Sequence, residues 1–134
     1  MERWGDKRYY SLDYYVKQTF HEKLYKIALD GGMTCPNRDG TSRKHPACIF
    51  CSAGGSGDFA GDRNVSIKEQ ISDWKKALSS ANHTGSSYIA YFQAYTNTYA
   101  PVSYLEQIFM EALQEPDVKV LSIATRPDCL SDDI

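Results

Sequence analysis

Three of the four cysteines in this chain, Cys35, Cys48 and Cys51, fall in one glycine-rich stretch, GGMTCPNRDGTSRKHPACIFCSAGGSGDFAG, with the spacing C-x12-C-x2-C. Two thiolates three residues apart can grip one metal centre, and a third arriving across a loop supplies another leg of a tetrahedral or cubane site. A structural site closes its coordination, whereas a catalytic one keeps a position open for substrate or cofactor. Two chemistries compete for these ligands. All-thiolate ligation suits an iron–sulfur cluster. Zinc would accept the same cysteines with His45 as a fourth ligand, giving Cys35, His45, Cys48 and Cys51 in a closed set that would stabilise a non-catalytic binding module. Ligand types alone leave the two even.

The rest of the composition narrows the setting. The chain has 134 residues, 42% of them hydrophobic, and 15 basic against 17 acidic side chains for a net charge of −2, which describes one soluble globular unit. That balance gives no general electrostatic argument for nucleic acid. Arg38, Arg43, Lys44 and His45 make a short basic patch inside the cysteine loop, read as a solvated loop face. No run approaches the roughly 18 apolar residues of a membrane span, and MERWGDKRYYSLDYY lacks the apolar core of a secretory signal. The expected location is therefore cytoplasmic, with no membrane partner, and a reducing compartment favours metal ligands or reactive thiols over disulfides.

The cysteine loop must be held by regular elements, and the sequence marks them. Ser66 and Glu69 form a capping box ahead of IKEQISDWKKALSS, where Ile67, Ile71, Trp74 and Leu78 recur on one face. Ser103 and Glu106 repeat the pattern ahead of YLEQIFMEALQEP, with Leu105, Ile108, Phe109, Ala112 and Leu113 apolar and Pro116 as a stop. Three apolar runs alternate with these helices: Lys23 to Asp30, Ser87 to Thr96 and Val118 to Pro127. Strands separated by crossovers of this length pair in parallel, so the fold class is α/β. The loops that follow the strands, the cysteine loop, QAYTNTYAP and ATRPDC, are expected to meet on the carboxyl rim, where such folds place their ligands. Upstream, Tyr9, Tyr10, Tyr14 and Tyr15 suit a helix or packed extension against the sheet more than a base-stacking platform.

The segments CPNRDGTSRKHPACIFCS, YKIALDGGMT before it, and YFQAYTNTYAP and SIATRPDCL after it resemble the radical S-adenosylmethionine (SAM) superfamily. More narrowly they resemble the bacterial YhcC-type group, itself related to the radical SAM domain of the elongator catalytic subunit. The likeness runs from about Trp4 to Leu130 and is most specific in the cysteine loop and ATRPDCL. It implies that parallel βα units form the first part of a partial TIM-like radical SAM barrel. Residues 1–134 would be the N-terminal portion of that domain, with 1–22 an extension and 23–134 the first three βα units. It also implies that Cys35, Cys48 and Cys51 ligate a 4Fe-4S cluster whose fourth iron takes the amine and carboxylate of SAM. Reduction then cleaves SAM to methionine and a 5′-deoxyadenosyl radical that abstracts hydrogen from a substrate. An electron donor such as flavodoxin or ferredoxin would serve it, and RNA modification is one role the resemblance raises for the intact protein. Phe50, just before the last cysteine, would rest near the adenine.

The chain departs from the superfamily pattern in two places. The twelve-residue gap replaces the commoner C-x3-C-x2-C spacing, and Gln93, Ala94, Tyr95 and Thr96 stand where a Gly-Gly-Glu usually contacts the SAM amine. On placement at strand ends, Gln93, Thr96 and Asn97 are expected near the methionine end of SAM, and Ser122, Thr125 and Arg126 near its ribose or carboxylate, Arg126 through a paired contact. GGSGDFAG matches no phosphate-binding motif and reads as close turning of the backbone around the site. Cys129 reads as an ordinary loop thiol, and His21 and His83 stand isolated. RPDCLSDDI carries helix-opening signals at Ser131, Asp132 and Asp133 just before the chain ends, which suggests the start of a larger domain that is inactive by itself.

Overall fold

Each of the three apolar runs becomes one strand of a single parallel sheet. The computed structural model describes residues 1–40, 47–81 and 85–134. Its elements run α1 (Leu12–Phe20), β1 (Tyr25–Leu29), α2 (Ile67–Ser80), β2 (Tyr88–Phe92), α3 (Val102–Leu113) and β3 (Val118–Ile123), then a short 3₁₀ turn at Pro127–Cys129. The strand order is β1-β2-β3. Leu29 pairs with Phe92 and Phe92 with Ile123, so all three strands finish level with one another. The loops after them therefore leave from one edge.

Strand alternation divides the side chains between two faces. On one, Ile27, Leu29, Tyr88, Ala90 and Phe92 pack with Ile67 and Ile71 of α2 and Leu105, Ile108 and Ala112 of α3. Trp74, Leu78 and Phe109 complete this layer, and Phe92 meets Phe109 edge-on at 5.0 Å. On the other, Ile89 packs with Leu24 and with Val16 of α1, supported by Phe20 and Val120. The tyrosine-rich extension is thus a helix laid on the sheet, as its spacing suggests. Ser11 caps it by accepting from the Tyr14 N–H, and Tyr10, ahead of the helix, meets Trp4 and Tyr14 edge to face.

The Ser66–Glu69 capping box forms in both directions. Its counterpart at Ser103 does not. α3 begins two residues earlier than a cap at Ser103 would set, at Val102, with Pro101 as N-cap and no side-chain capping bond. Pro101 fixes an extended entry, and its carbonyl accepts from Tyr104 and Leu105, so the first turn closes before Ser103 can act as a cap. Leu113, expected on the apolar face, is exposed. The helix opening read at Ser131 is also absent: the Ser131 hydroxyl bonds the Asp133 carboxylate instead. No helix among the described residues is long and apolar enough to cross a membrane.

Candidate metal and cofactor site

The cysteine loop leaves β1 and must return to α2, and a dense set of hydrogen bonds fixes its path across the rim. The Gly61 N–H and the Trp74 indole N–H both donate to the Ala28 carbonyl, at 2.9 and 2.8 Å. Gln70, buried within α2, donates to the Asp30 and Val65 carbonyls while its own carbonyl accepts from the Asp30 N–H. Every polar atom of that buried amide is engaged, which is the condition for burying it without penalty. Arg63 reaches back to the Met33 carbonyl at 2.7 Å.

The second rim segment, after β2, holds the loop from the side. The Thr96 N–H donates to the Thr34 carbonyl just before Cys35, and the Gln93 side chain donates to the Ser56 carbonyl at 2.7 Å. Tyr95 is the centre of this contact. Its N–H donates to the Gly55 carbonyl, its hydroxyl to the Ala53 carbonyl, and its ring takes cation–π contacts from the guanidinium groups of Arg38 and Arg63 at 5.7 and 5.2 Å. Tyr95 sits at φ 63°, a left-handed conformation that costs a non-glycine residue energy and that only strong surrounding contacts maintain. Gly55 is the complementary position, since a Cβ there would stand 2.5 Å from the Tyr95 ring. The third segment, after β3, is pinned by Asn97, whose backbone and side-chain N–H groups both donate to the Ala124 carbonyl.

These segments enclose a cavity of about 360 Å³ lined by all three loop cysteines. Of the residues singled out in the sequence, Phe50, Gln93, Thr96, Thr125 and Arg126 also line it. Phe50 is strongly exposed, so it is not packed beneath the loop. Asn97 and Ser122 are not on the wall. The Asn97 amide is turned to Ala124, and Ser122 lies back from the rim beside Tyr91. Tyr91, Tyr95, Gly55, Ser56 and Ala124 complete the wall and were not read as ligand contacts. The signal for Tyr95 was a large aromatic residue followed by two threonines and an asparagine in a strand-end loop, but nothing local announces its positive φ. His45 and His83 lie outside the described residues. Cys129 lines a different, larger groove of about 840 Å³ that contains none of the other cysteines.

No carboxylate lines the cysteine cavity, and Arg126 is its one cationic lining residue among those described. Each sulfur receives an N–H donor: Arg126 faces Cys35 at 3.7 Å, the Asn37 amide faces Cys48 at 3.4 Å, and Arg38 faces Cys51 at 3.2 Å. Burial opposes ionisation of Cys35, but hydrogen bonds from Thr96, the Asn37 backbone and Arg126 outweigh it and hold the thiol below its ordinary range. Burial pushes the Cys129 thiol the other way, with Asp128 adding to the effect. The paired carboxylate contact expected of Arg126 is made within the chain, to Asp128 at 2.9 and 2.6 Å.

All four cysteines are free thiols. Among the described residues no three His, Cys, Asp or Glu side chains converge on a single ion-sized point, so the three sulfurs share one cavity rather than a finished coordination sphere. The donor set nevertheless fits a thiolate-bound iron–sulfur cluster. Among the described residues it is sulfur only, the same cavity is lined by a cation and aromatic rings suited to an organic ligand, and the volume falls in the range of small-molecule sites.

No family model and no solved structure matches the chain. Proteins similar to it were found among curated sequences. The YtqA protein of Bacillus subtilis is 52% identical over 129 residues, covering 96% of this chain and 39% of that protein. The YhcC protein of Escherichia coli is 36% identical over 117 residues, covering 87% of this chain and 36% of that protein. The MJ0486 protein of Methanocaldococcus jannaschii is 38% identical over 120 residues, covering 87% of this chain and 34% of that protein. The chain thus spans less than two fifths of the length of these relatives.

Proposed function

We propose that this chain is the N-terminal part of a radical SAM enzyme. Cys35, Cys48 and Cys51 would hold a 4Fe-4S cluster, and the cavity they share would take SAM. The observation that carries this reading is the convergence of three thiols from one strand-end loop on one cavity at the carboxyl rim of a parallel sheet. Similarity to YhcC supports the narrower half of the sequence resemblance. When bound, the cluster supplies the electron that cleaves SAM reductively.

The chain's own residues would do the following. Arg126 presents a cation to a ligand carboxylate, in competition with Asp128. Phe50, exposed at the cavity wall, offers a ring face to a purine. Gln93 and Tyr95 keep the cysteine loop seated and so shield the cavity from water. The three parallel βα units are the opening units of a partial barrel in this proposal, and an RNA substrate and a flavodoxin or ferredoxin donor belong to the intact protein.

Cysteine variants test the assignment directly. Cys35→Ser, Cys48→Ser and Cys51→Ser should each lose iron and sulfide uptake under anaerobic reconstitution, while Cys129→Ser should retain it. His45→Ala should also retain it, because it removes no cluster ligand. If His45→Ala abolished metal binding as fully as Cys35→Ser, the closed zinc set would replace this reading.

A further inference from the structure

We infer that Arg38 and Asn37, with a lesser contribution from Arg126, set the reduction potential of the cluster by giving one N–H to each of its three cysteine sulfurs. The inference rests on the iron–sulfur reading above and adds a function for residues that touch no metal. Arg38 is the strongest of the three. Its Nη1 lies 3.2 Å from Cys51 Sγ and 2.6 Å from the Ser52 carbonyl, and its guanidinium stacks at 5.7 Å on the Tyr95 ring. Arg38 and Asp39 donate their backbone N–H groups to the Cys35 carbonyl, and this turn carries the Arg38 side chain back over the loop toward Cys51. Asn37 uses Nδ2 on Cys48 while its buried Oδ1 has no partner among the described residues, so the amide's one satisfied end is the one facing sulfur. Arg126 stands farther off, at 3.7 Å from Cys35, with the rest of its fork held by Asp128.

The sign follows from charge. Adding an electron places more negative charge on the thiolate sulfurs, and an N–H dipole aimed at them stabilises the reduced form more than the oxidised one. A charged donor does so more than a neutral amide. Removing Arg38 should therefore move the potential in the negative direction and make the cluster harder to reduce, and removing Asn37 should do the same to a smaller extent. Both residues are positioning residues, since they act on the sulfurs and not on a substrate.

The test is a potentiometric titration of the full chain, reconstituted anaerobically with iron and sulfide, reduced stepwise with dithionite in mediator dyes and followed by visible absorbance. Arg38→Gln should shift the midpoint negative by about tenfold in the reduction equilibrium, about 59 mV for one electron. Asn37→Ala should shift it in the same direction by less, and Lys76→Gln, an exposed charge on α2, should leave it unchanged. Midpoints of Arg38→Gln and Asn37→Ala equal to wild type would overturn the inference and leave the cluster assignment standing. So would loss of the chromophore in both variants with unchanged far-UV circular dichroism, because the two side chains would then be supports of the loop. A wild-type chain that takes up no cluster would instead remove the reading on which the inference rests.

Discussion

The Cys35 thiol stands between opposing influences: burial, which disfavours the thiolate, and the donors Thr96, Asn37 and Arg126, which favour it and win. Cys129, a few residues past the same rim, has burial and Asp128 acting together to keep it protonated. Because the thiolate is the nucleophile, the metal-free chain should react with iodoacetamide at Cys35 well before Cys129 near neutral pH. The gap should narrow only as pH rises beyond the ordinary thiol value of about 8.5 into the raised range of Cys129. Peptide mass spectrometry of a time course checks this, and faster labelling of Cys129 at neutral pH would contradict it. The cysteines were legible from spacing alone, because ligand spacing is a property of the chain. The donors to their sulfurs were not, because Arg126 reaches Cys35 across 91 positions and only the fold brings them together.

Elements tell a similar story through their ends. Ser66→Ala removes a capping box that is formed in both directions and should cost about 1 kcal/mol in chemical denaturation. Ser103→Ala removes no cap and should stay within about 0.5 kcal/mol, even though the two sites look alike in sequence. The difference is Pro101, which sets the entry to α3 by its fixed φ and leaves Ser103 inside the first turn. Gly55→Ala addresses the loop itself. The added Cβ meets the Tyr95 ring, and φ at Gly55 is 63°, so the change should destabilise by about 1–3 kcal/mol and loosen the loop toward limited proteolysis. Unchanged proteolysis of that variant would mean that the Tyr95 contact does not seat the loop.

At the scale of the molecule, the 3.6-residue repeat of apolar side chains located the two long helices, and the apolar runs between them located the three strands, to within a few residues. The common rim was legible too, since parallel strands joined by helices must end on one edge. What needed the structure was the division of roles along that edge: Asn97 and Ser122 were expected on the wall, and the fold uses one as a clamp and keeps the other back from the rim. Phe92 is fully buried in the core that supports the rim, against Phe109 of α3, and Phe92→Ala should cost about 3–5 kcal/mol. Lys75 ties α2 to the turn before β3 through Glu115 and Asp117. Burial disfavours its charge but the two carboxylates prevail, so its affinity for the proton is raised on folding. That stabilisation is present throughout neutral pH and is lost as pH rises past the ordinary lysine value of about 10.4 into the raised folded range.

The most direct measurement of the central claim is the metal content and visible spectrum of the wild-type chain after anaerobic reconstitution with iron and sulfide in the presence of competing zinc. The account predicts a brown protein with about four irons and four sulfides per chain, the broad thiolate–iron charge-transfer absorption of such a cluster, and a change in that spectrum when SAM is added. A colourless protein holding one zinc ion per chain would contradict it.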